Sequence, residues 1–546
     1  MGNTSSSSVQ KCLESAIGGN KDLLALKGMP LFQIQHVKPY NLGIPVTPAA
    51  VTYPETTEQI SAIVKCAVDN RLKRDHPRLT TSVGIGGQDN TVVIDMKHFQ
   101  QFSMDNSTWQ ATIGGGTLLG DVTKRLHENG NRAMAHGTCP HVGIGGHATI
   151  GGLGPSSRMW GSALDHVEEV EVVLANSTVV RATETENPDI LFAVKGAAAG
   201  FGIVTEFKVR TQAEPAEAIL YTYNIQGGSS ADKAEAFKKW QELISDPNLT
   251  RKFASQFILT EQFGAVITGT FFGSQQEYDG LNISARLPNS DDSVIELKDW
   301  LGVVGHWAED VALDIAGGVP GNFYAKSLAY TKADIIPDEA VDKLFDYIDA
   351  ADKGNAIWFI IWDLEGGAIN DVAPNATAYG HRDALFYHQA YAINLLGKID
   401  NNTRDFLTGI NAVVTDALPE HDEGAYAGMH LSITSTLALM IGLTTTSSAF
   451  VVDTFSDTNC GGVVETGVNT WDSTCATWPK GFKSFKITTW GGNHQFAYFF
   501  APDDCGSLDG AIMTGYVDAT TFDFKLNTCY GFSGGSANAI ASYYTI

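Results

Sequence analysis

Along the first 214 residues, apolar side chains alternate between two rhythms. Residues 47–54 form a short extended run, after which Ile60, Ile63, Val64, Ala67 and Val68 recur at the three- and four-residue spacing of one helix face. Residues 110–116 predict a strand ending in Gly114, Gly115 and Gly116, and residues 117–129 predict a helix closed by Gly130. Residues 167–174 are again β-prone, residues 190–195 helical, and residues 200–210 return to a strand. The pattern is that of mixed α and β structure. The last hundred residues behave differently: from Ser484 to Thr488 polar and apolar side chains alternate, as in a half-buried strand.

Length and charge narrow the function classes. At roughly 100 to 200 residues per domain, 546 residues hold about three or four domains. Asp and Glu number 61 against 36 Lys and Arg, a formal charge of −25, the wrong sign for a surface that binds nucleic acid or an anionic membrane. The hydrophobic content of 43% is too high for a disordered chain. No apolar run reaches the roughly 18 residues that span a bilayer, so no transmembrane segment is expected. No G-x-G-x-x-G follows a first strand, which disfavours a nicotinamide enzyme.

The start, Met1-Gly2-Asn3-Thr4-Ser5-Ser6, has no basic residue followed by an apolar stretch, so a cytoplasmic protein is the default expectation. Gly2 and Ser6 also fit an N-myristoylation pattern that many Ser-rich starts share. Cys12, Cys66 and Cys139 are scattered, whereas Cys460, Cys475, Cys505 and Cys529 crowd into the last hundred residues, which suggests different redox histories for the two parts. The four late cysteines read as two disulfides with three possible pairings, or else as buried thiols. A zinc site is disfavoured because no close C-x(2-4)-C pair occurs, and no metal is expected. Just before them, Met429 opens a signal-like stretch with an apolar centre at residues 437–443 and a small-residue end at Ser447-Ser448-Ala449; a buried helix or strand is the plainer alternative. A break at Met429, with a separate secreted-type β domain after it, is therefore expected.

The densest chemical signal runs from His136 to Gly154. Gly143, Gly145, Gly146, Gly151 and Gly152 let the backbone approach a planar or anionic ligand, and Cys139 among them is a candidate reactive thiol. A glycine-rich turn around a structural cysteine reads equally well from these residues alone. The run from His136 to Gly161, with Gly114-Gly115-Gly116 before it and residues 200–207 after it, resembles the FAD-linked oxidases of the vanillyl-alcohol-oxidase and p-cresol-methylhydroxylase (PCMH) type. It is most similar to their glucooligosaccharide-oxidase and berberine-bridge-like branch, and the likeness extends from about Cys12 to Gly428 through Trp362-Asp363-Leu364-Glu365-Gly366-Gly367 and Ala378-Tyr379-Gly380-His381-Arg382.

The resemblance implies an α+β chain: a PCMH-type FAD-binding domain of two α/β subdomains over residues 1–214, an α/β substrate domain over 215–428, a signal-like segment over 429–449 and a β-rich four-cysteine domain over 450–546. It implies FAD as cofactor, held through Cys139 bonded to flavin C6, through the backbone of Gly143, Gly145 and Gly146, and with Ile203 on the adenine side. It implies oxidation of an anomeric hydroxyl of a carbohydrate by a phenolate helped by a carboxylate, with oxygen as final acceptor. By position the carboxylate is Asp363 and the nearest phenol is Tyr426; Trp358, Trp362 and Tyr387 could face sugar rings or simply fill the core.

Two segments depart from the family pattern. Where the family has an R-S-G-G-H-S-Y-G loop around its second flavin link, residues 74–83 here contain no glycine, and His76 precedes Pro77, so flavinylation is not assigned to His76. The Y-x-x-Y strand begins at Tyr426 and is cut at Met429. These departures leave open a catalytically inactive flavin fold, or a chimeric chain whose secreted tail acts separately.

Overall fold

The computed structural model describes residues 3–39, 41–44, 46–70, 73–75, 91–225, 228–261, 264–287, 294–309, 321–395, 397–418, 450–470, 475–489, 495–502, 511–517, 523–533 and 535–544. The chain divides into two compact units, Met1–Ser432 and Ile433–Ile546.

In the first unit, the described strands up to Arg210 build two main sheets. One has the order Leu24–Leu26, Ala50–Thr52, Thr91–Ile94, Lys73–Asp75, with its last two pairings parallel. Helix Thr57–Asp69 starts where the Thr56 side chain accepts the Gln59 amide. Its buried Ile60, Ile63 and Val64 share a core with Leu13, Ile17 and Val92. The other sheet is antiparallel, in the order Phe102–Asp105, Gln110–Gly114, Gly202–Arg210, Val167–Leu174, Val179–Ala182. Helix Leu119–Glu128 begins two residues later than the sequence pattern predicts. Thr117 and Leu118 are held instead in a ladder with the glycine-rich segment, where the Ile144 amide donates to the Thr117 carbonyl at 2.9 Å.

Between Ala218 and Asn394 the described strands form one antiparallel seven-stranded sheet. Its order is Val294–Lys298, Ala218–Asn224, Gly264–Phe271, Phe253–Thr260, Ile357–Leu364, Ala384–Asn394, Asn322–Thr331. Alternation along each strand decides what each face does. Trp358, Ile360 and Trp362 join helices Ser230–Ile244, Asp338–Ala350 and Asn401–Ala417 in the largest apolar core. There Phe237 meets Trp362 edge-on at 5.0 Å. Burying each such side chain contributes about 1.5–3 kcal/mol. The intervening Phe359, Ile361 and Asp363 face the other way, the first two with Ile258 and Tyr391.

The second unit is β-rich, as its alternation predicts. Two antiparallel four-stranded sheets, one containing Phe450–Phe455 and Ser484–Thr489, the other Gln495–Phe500 and Ala537–Tyr544, share a core in which Phe485 stacks on Phe499 at 4.1 Å. Ser484 is buried although polar, because its hydroxyl accepts the Cys460 amide and donates to the Asp457 carbonyl. Cys460 is bonded to Cys529; the Cys475 side chain, Cys505 and the signal-like residues 429–449 lie outside what is described. The expected contrast in cysteine chemistry does not hold, since Cys12–Cys66 is also a disulfide and ties helix Asn3–Ala16 to Thr57–Asp69. Among the described residues, no helix is long and apolar enough to cross a membrane.

Candidate functional site

The glycine-rich segment is shaped by backbone contacts that leave no room for side chains. A Cβ on Gly145 would lie 2.5 Å from the Gly115 carbonyl oxygen, and one on Gly154 would lie 1.9 Å from that of His136. The Leu119 and Gly120 amides donate to the carbonyls of Val142 and Pro140 at 2.9 and 3.0 Å, lacing the segment to the turn after Gly116. At Gly143, by contrast, a Cβ would meet nothing within 4 Å. Cys139 is partly exposed and in no disulfide. Gly146 lies in the short helical turn Ile144–His147. Ile203 is buried on strand Gly202–Arg210, opposite Val173, with its side chain in the first core. A partly exposed thiol beside bare backbone suits a flat cofactor such as FAD.

Two buried histidines, His136 and His166, and the half-buried His147 pin this segment. His147 Nε2 accepts the Gly137 amide at 2.8 Å, and His166 Nε2 accepts the Ala135 amide at 3.2 Å. His136 Nδ1 donates to the Gly137 carbonyl at 2.7 Å while its Nε2 accepts the Thr123 hydroxyl at 2.8 Å. Accepting through a ring nitrogen requires neutral imidazole. Burial enforces that state, pushing His147 down to about 3 and His166 down to about 4, and lowering His136 as well.

A second cluster sits on the sheet face away from the helices. Asp363 stands between Gln256 and Tyr387 on neighbouring strands. The Gln256 amide donates to Asp363 Oδ1 and the Gln389 amide to Oδ2. Tyr391 donates its hydroxyl to Gln389 Oε1 at 2.8 Å, which fixes that amide's orientation. Asp363 is half-buried. Dehydration pushes its pKa up to about 6 against the opposing pull of the two amides. Two residues on, Glu365 is buried, and its Oε2 has no hydrogen-bond partner among the described residues. Burial, reinforced by Asp363 and only partly offset by Arg158, holds its pKa well above the usual carboxylate range. Arg158 donates Nε to the Phe253 carbonyl at 2.8 Å and Nη1 to the Glu365 carbonyl. Asp363 therefore ionises near pH 6, while burial favours the protonated form of Glu365.

Trp358 and Trp362 do not face a ligand: they are 5% and 0% exposed in the helix-side core, where their aromatic area is needed for packing. Tyr387 is buried too, its hydroxyl 2.9 Å from that of Tyr379. Tyr426 and His76 lie outside the described residues. Sequence reasoning missed Gln256, Gln389 and the three histidines. The available signal was a polar side chain inside an apolar strand, as in Phe253–Thr260 and Ala384–Asn394.

A family model described as an FAD binding domain matches residues 48–183. The FAD-linked oxidoreductase sorD of Penicillium rubens is 37% identical over 420 residues, covering 76% of this chain and 88% of its own. Among solved structures, the xylooligosaccharide oxidase from Myceliophthora thermophila C1 in complex with xylobiose aligns with a TM-score of 0.69 at 30% identity, over 78% of this chain and 90% of that one. The glucooligosaccharide oxidase of Acremonium strictum, whose flavin is described as 6-S-cysteinyl, 8α-N1-histidyl FAD, aligns with a TM-score of 0.68 at 28% identity, over 77% and 90% of the two chains.

Proposed function

The chain belongs to the PCMH-type FAD-linked oxidases and is an FAD-dependent oxidoreductase, and from that premise we propose that it oxidises the anomeric hydroxyl of an oligosaccharide with oxygen as final acceptor. The observation that carries the reading is the ionisable Asp363 held by two glutamines on the sheet face away from the helices. Carbohydrate as substrate is supported by the xylooligosaccharide and glucooligosaccharide oxidases to which the chain is similar.

Bound FAD supplies the hydride acceptor and a route for both electrons to oxygen, which leaves as hydrogen peroxide. The chain's own residues supply attachment, orientation and proton transfer. Cys139 would hold the flavin ring, with the backbone of Gly143, Gly145 and Gly146 against it and Ile203 on the adenine side. Attachment would be through Cys139 alone, because residues 74–83 carry no glycine and their His76 precedes Pro77. Tyr426 is assigned as the phenol that takes the anomeric proton, and Asp363, ionised, as the carboxylate that lowers the cost of that transfer. The domain reading follows the same division: FAD binding to residue 214, substrate binding over 215–428, and a separate β-rich part from 450 after a signal-like stretch. None of these observations favours the inactive or chimeric alternative.

Two assays test the proposal. Purified protein should release peroxide with xylo-, gluco- or chito-oligosaccharides and without added NAD; release with simple aromatic alcohols instead would move it to another branch. After acid precipitation the flavin should stay with the protein and be lost in Cys139→Ala, and covalent flavin surviving in that variant would refute the single link.

A further inference from the structure

Arg382 and Asp165 form a bidentate ion pair, Nη1 to Oδ2 at 2.9 Å and Nη2 to Oδ1 at 2.8 Å, with side chains 1% and 4% exposed. Such a pair contributes little to stability, since the desolvation of both charges offsets their attraction. Its value here lies in what it connects. Asp165 sits in the short helix Ala163–His166 that follows the glycine-rich segment, and it also accepts the amide and hydroxyl of Ser162 at 2.9 and 2.7 Å. Arg382 lies two residues before the strand Ala384–Asn394. Its Nη2 donates to Thr377 Oγ1 at 2.8 Å, and its guanidinium lies 5.0 Å from the centre of the Tyr379 ring.

Tyr379 is held from the same side: its amide donates to the Lys195 carbonyl at 3.0 Å, and Gly196, at φ +140°, leaves room where a Cβ would come within 2.3 Å of that amide nitrogen. The Tyr379 hydroxyl meets that of Tyr387 at 2.9 Å, and Tyr387 stands directly across the ladder from Asp363. Leu153 of the glycine-rich segment packs in both the Tyr379 and the Tyr387 clusters. A continuous set of contacts therefore runs from Asp165 through Arg382, Tyr379 and Tyr387 to the strand position opposite Asp363.

We propose that Arg382 is a positioning residue for the oxidation proposed above: clamped by Asp165, it sets the placement of the Tyr379–Tyr387 phenol pair and so the distance of Asp363 from the glycine-rich segment. The inference rests on that functional reading. Its role is geometric, so the fork of the guanidinium matters and the charge alone does not suffice.

The test is anaerobic reduction of the bound flavin by an oligosaccharide that reduces the wild-type holoenzyme. Arg382→Lys should slow reduction about ten- to a hundredfold at saturating substrate, with apparent KM within about threefold and with reoxidation by oxygen unchanged. Tyr379→Phe, which leaves the ion pair intact and removes the link to Tyr387, should slow the same step about three- to tenfold. Added guanidinium should partly restore Arg382→Ala. Reduction at the wild-type rate in both Arg382→Lys and Tyr379→Phe overturns the positioning role while leaving the proposed function standing. Reoxidation falling in parallel with reduction shows general damage and also overturns it. A wild-type flavin that no oligosaccharide reduces overturns the functional reading itself, and the positioning role with it.

Discussion

The two faces of the seven-stranded sheet treat a buried polar group in opposite ways. On the helix-covered face, His388 stacks on Trp362 at 5.4 Å, and neither ring nitrogen has a hydrogen-bond partner among the described residues. Burial pushes its pKa down to about 3, so it stays neutral and behaves as one more flat packing surface. On the other face, Asp363 is also surrounded by protein, yet each oxygen receives an amide and its pKa settles at about 6, where it can change charge under working conditions. His388, fully buried and without donors, is inert packing, whereas Asp363, half-buried and held by two amides, keeps usable chemistry. Residual exposure and the supply of directed donors separate them.

Substitutions on the two faces should therefore separate stability from activity. The largest effect is expected from Asp363→Asn, which should lower kcat/KM by about a hundred- to ten-thousandfold with an unchanged unfolding midpoint. In wild type, kcat/KM should rise as pH passes through about 6, where Asp363 ionises. Trp362→Ala, one residue away on the opposite face, should cost about 3–5 kcal/mol in urea unfolding and leave the activity of the folded fraction near wild type.

His388→Leu sharpens the same contrast. A histidine with a folded pKa of about 3, below its unfolded value of about 6.5, stabilises the fold above pH 6.5, and that contribution is lost as pH falls from 6.5 toward 3. The Leu variant should therefore lose about 2 kcal/mol less than wild type between pH 7 and pH 5, measured by denaturant titration at both. The smallest effect is expected from Gln389→Leu. Removing a donor that favours the carboxylate should move the acid limb of kcat/KM upward by about one unit, and a downward shift would contradict the assigned hydrogen bond.

How much of this was legible in the sequence depended on range. Local periodicity identified strand Val167–Leu174 and helix Thr57–Asp69, because burial on one face leaves its period in the chain. The motif around Cys139 was visible because its glycines are contiguous. Asp363 was singled out by resemblance, but its partners were not: Gln256 is 107 residues away and meets it only through strand register. The Cys12–Cys66 bond, across 54 residues, was invisible for the same reason. The tryptophans at 358 and 362 show the reverse difficulty, since a ring that packs and a ring that binds sugar look alike until the face of the strand is known.

The most direct test of the central claim is a stopped-flow experiment on the anaerobic holoprotein mixed with oligosaccharides. The account predicts bleaching of the visible flavin band in wild type, at least a hundredfold slower bleaching in Asp363→Asn, and recovery of the band on admitting oxygen with one peroxide formed per flavin. Bleaching at the same rate in both proteins, or in neither with any carbohydrate, would contradict it.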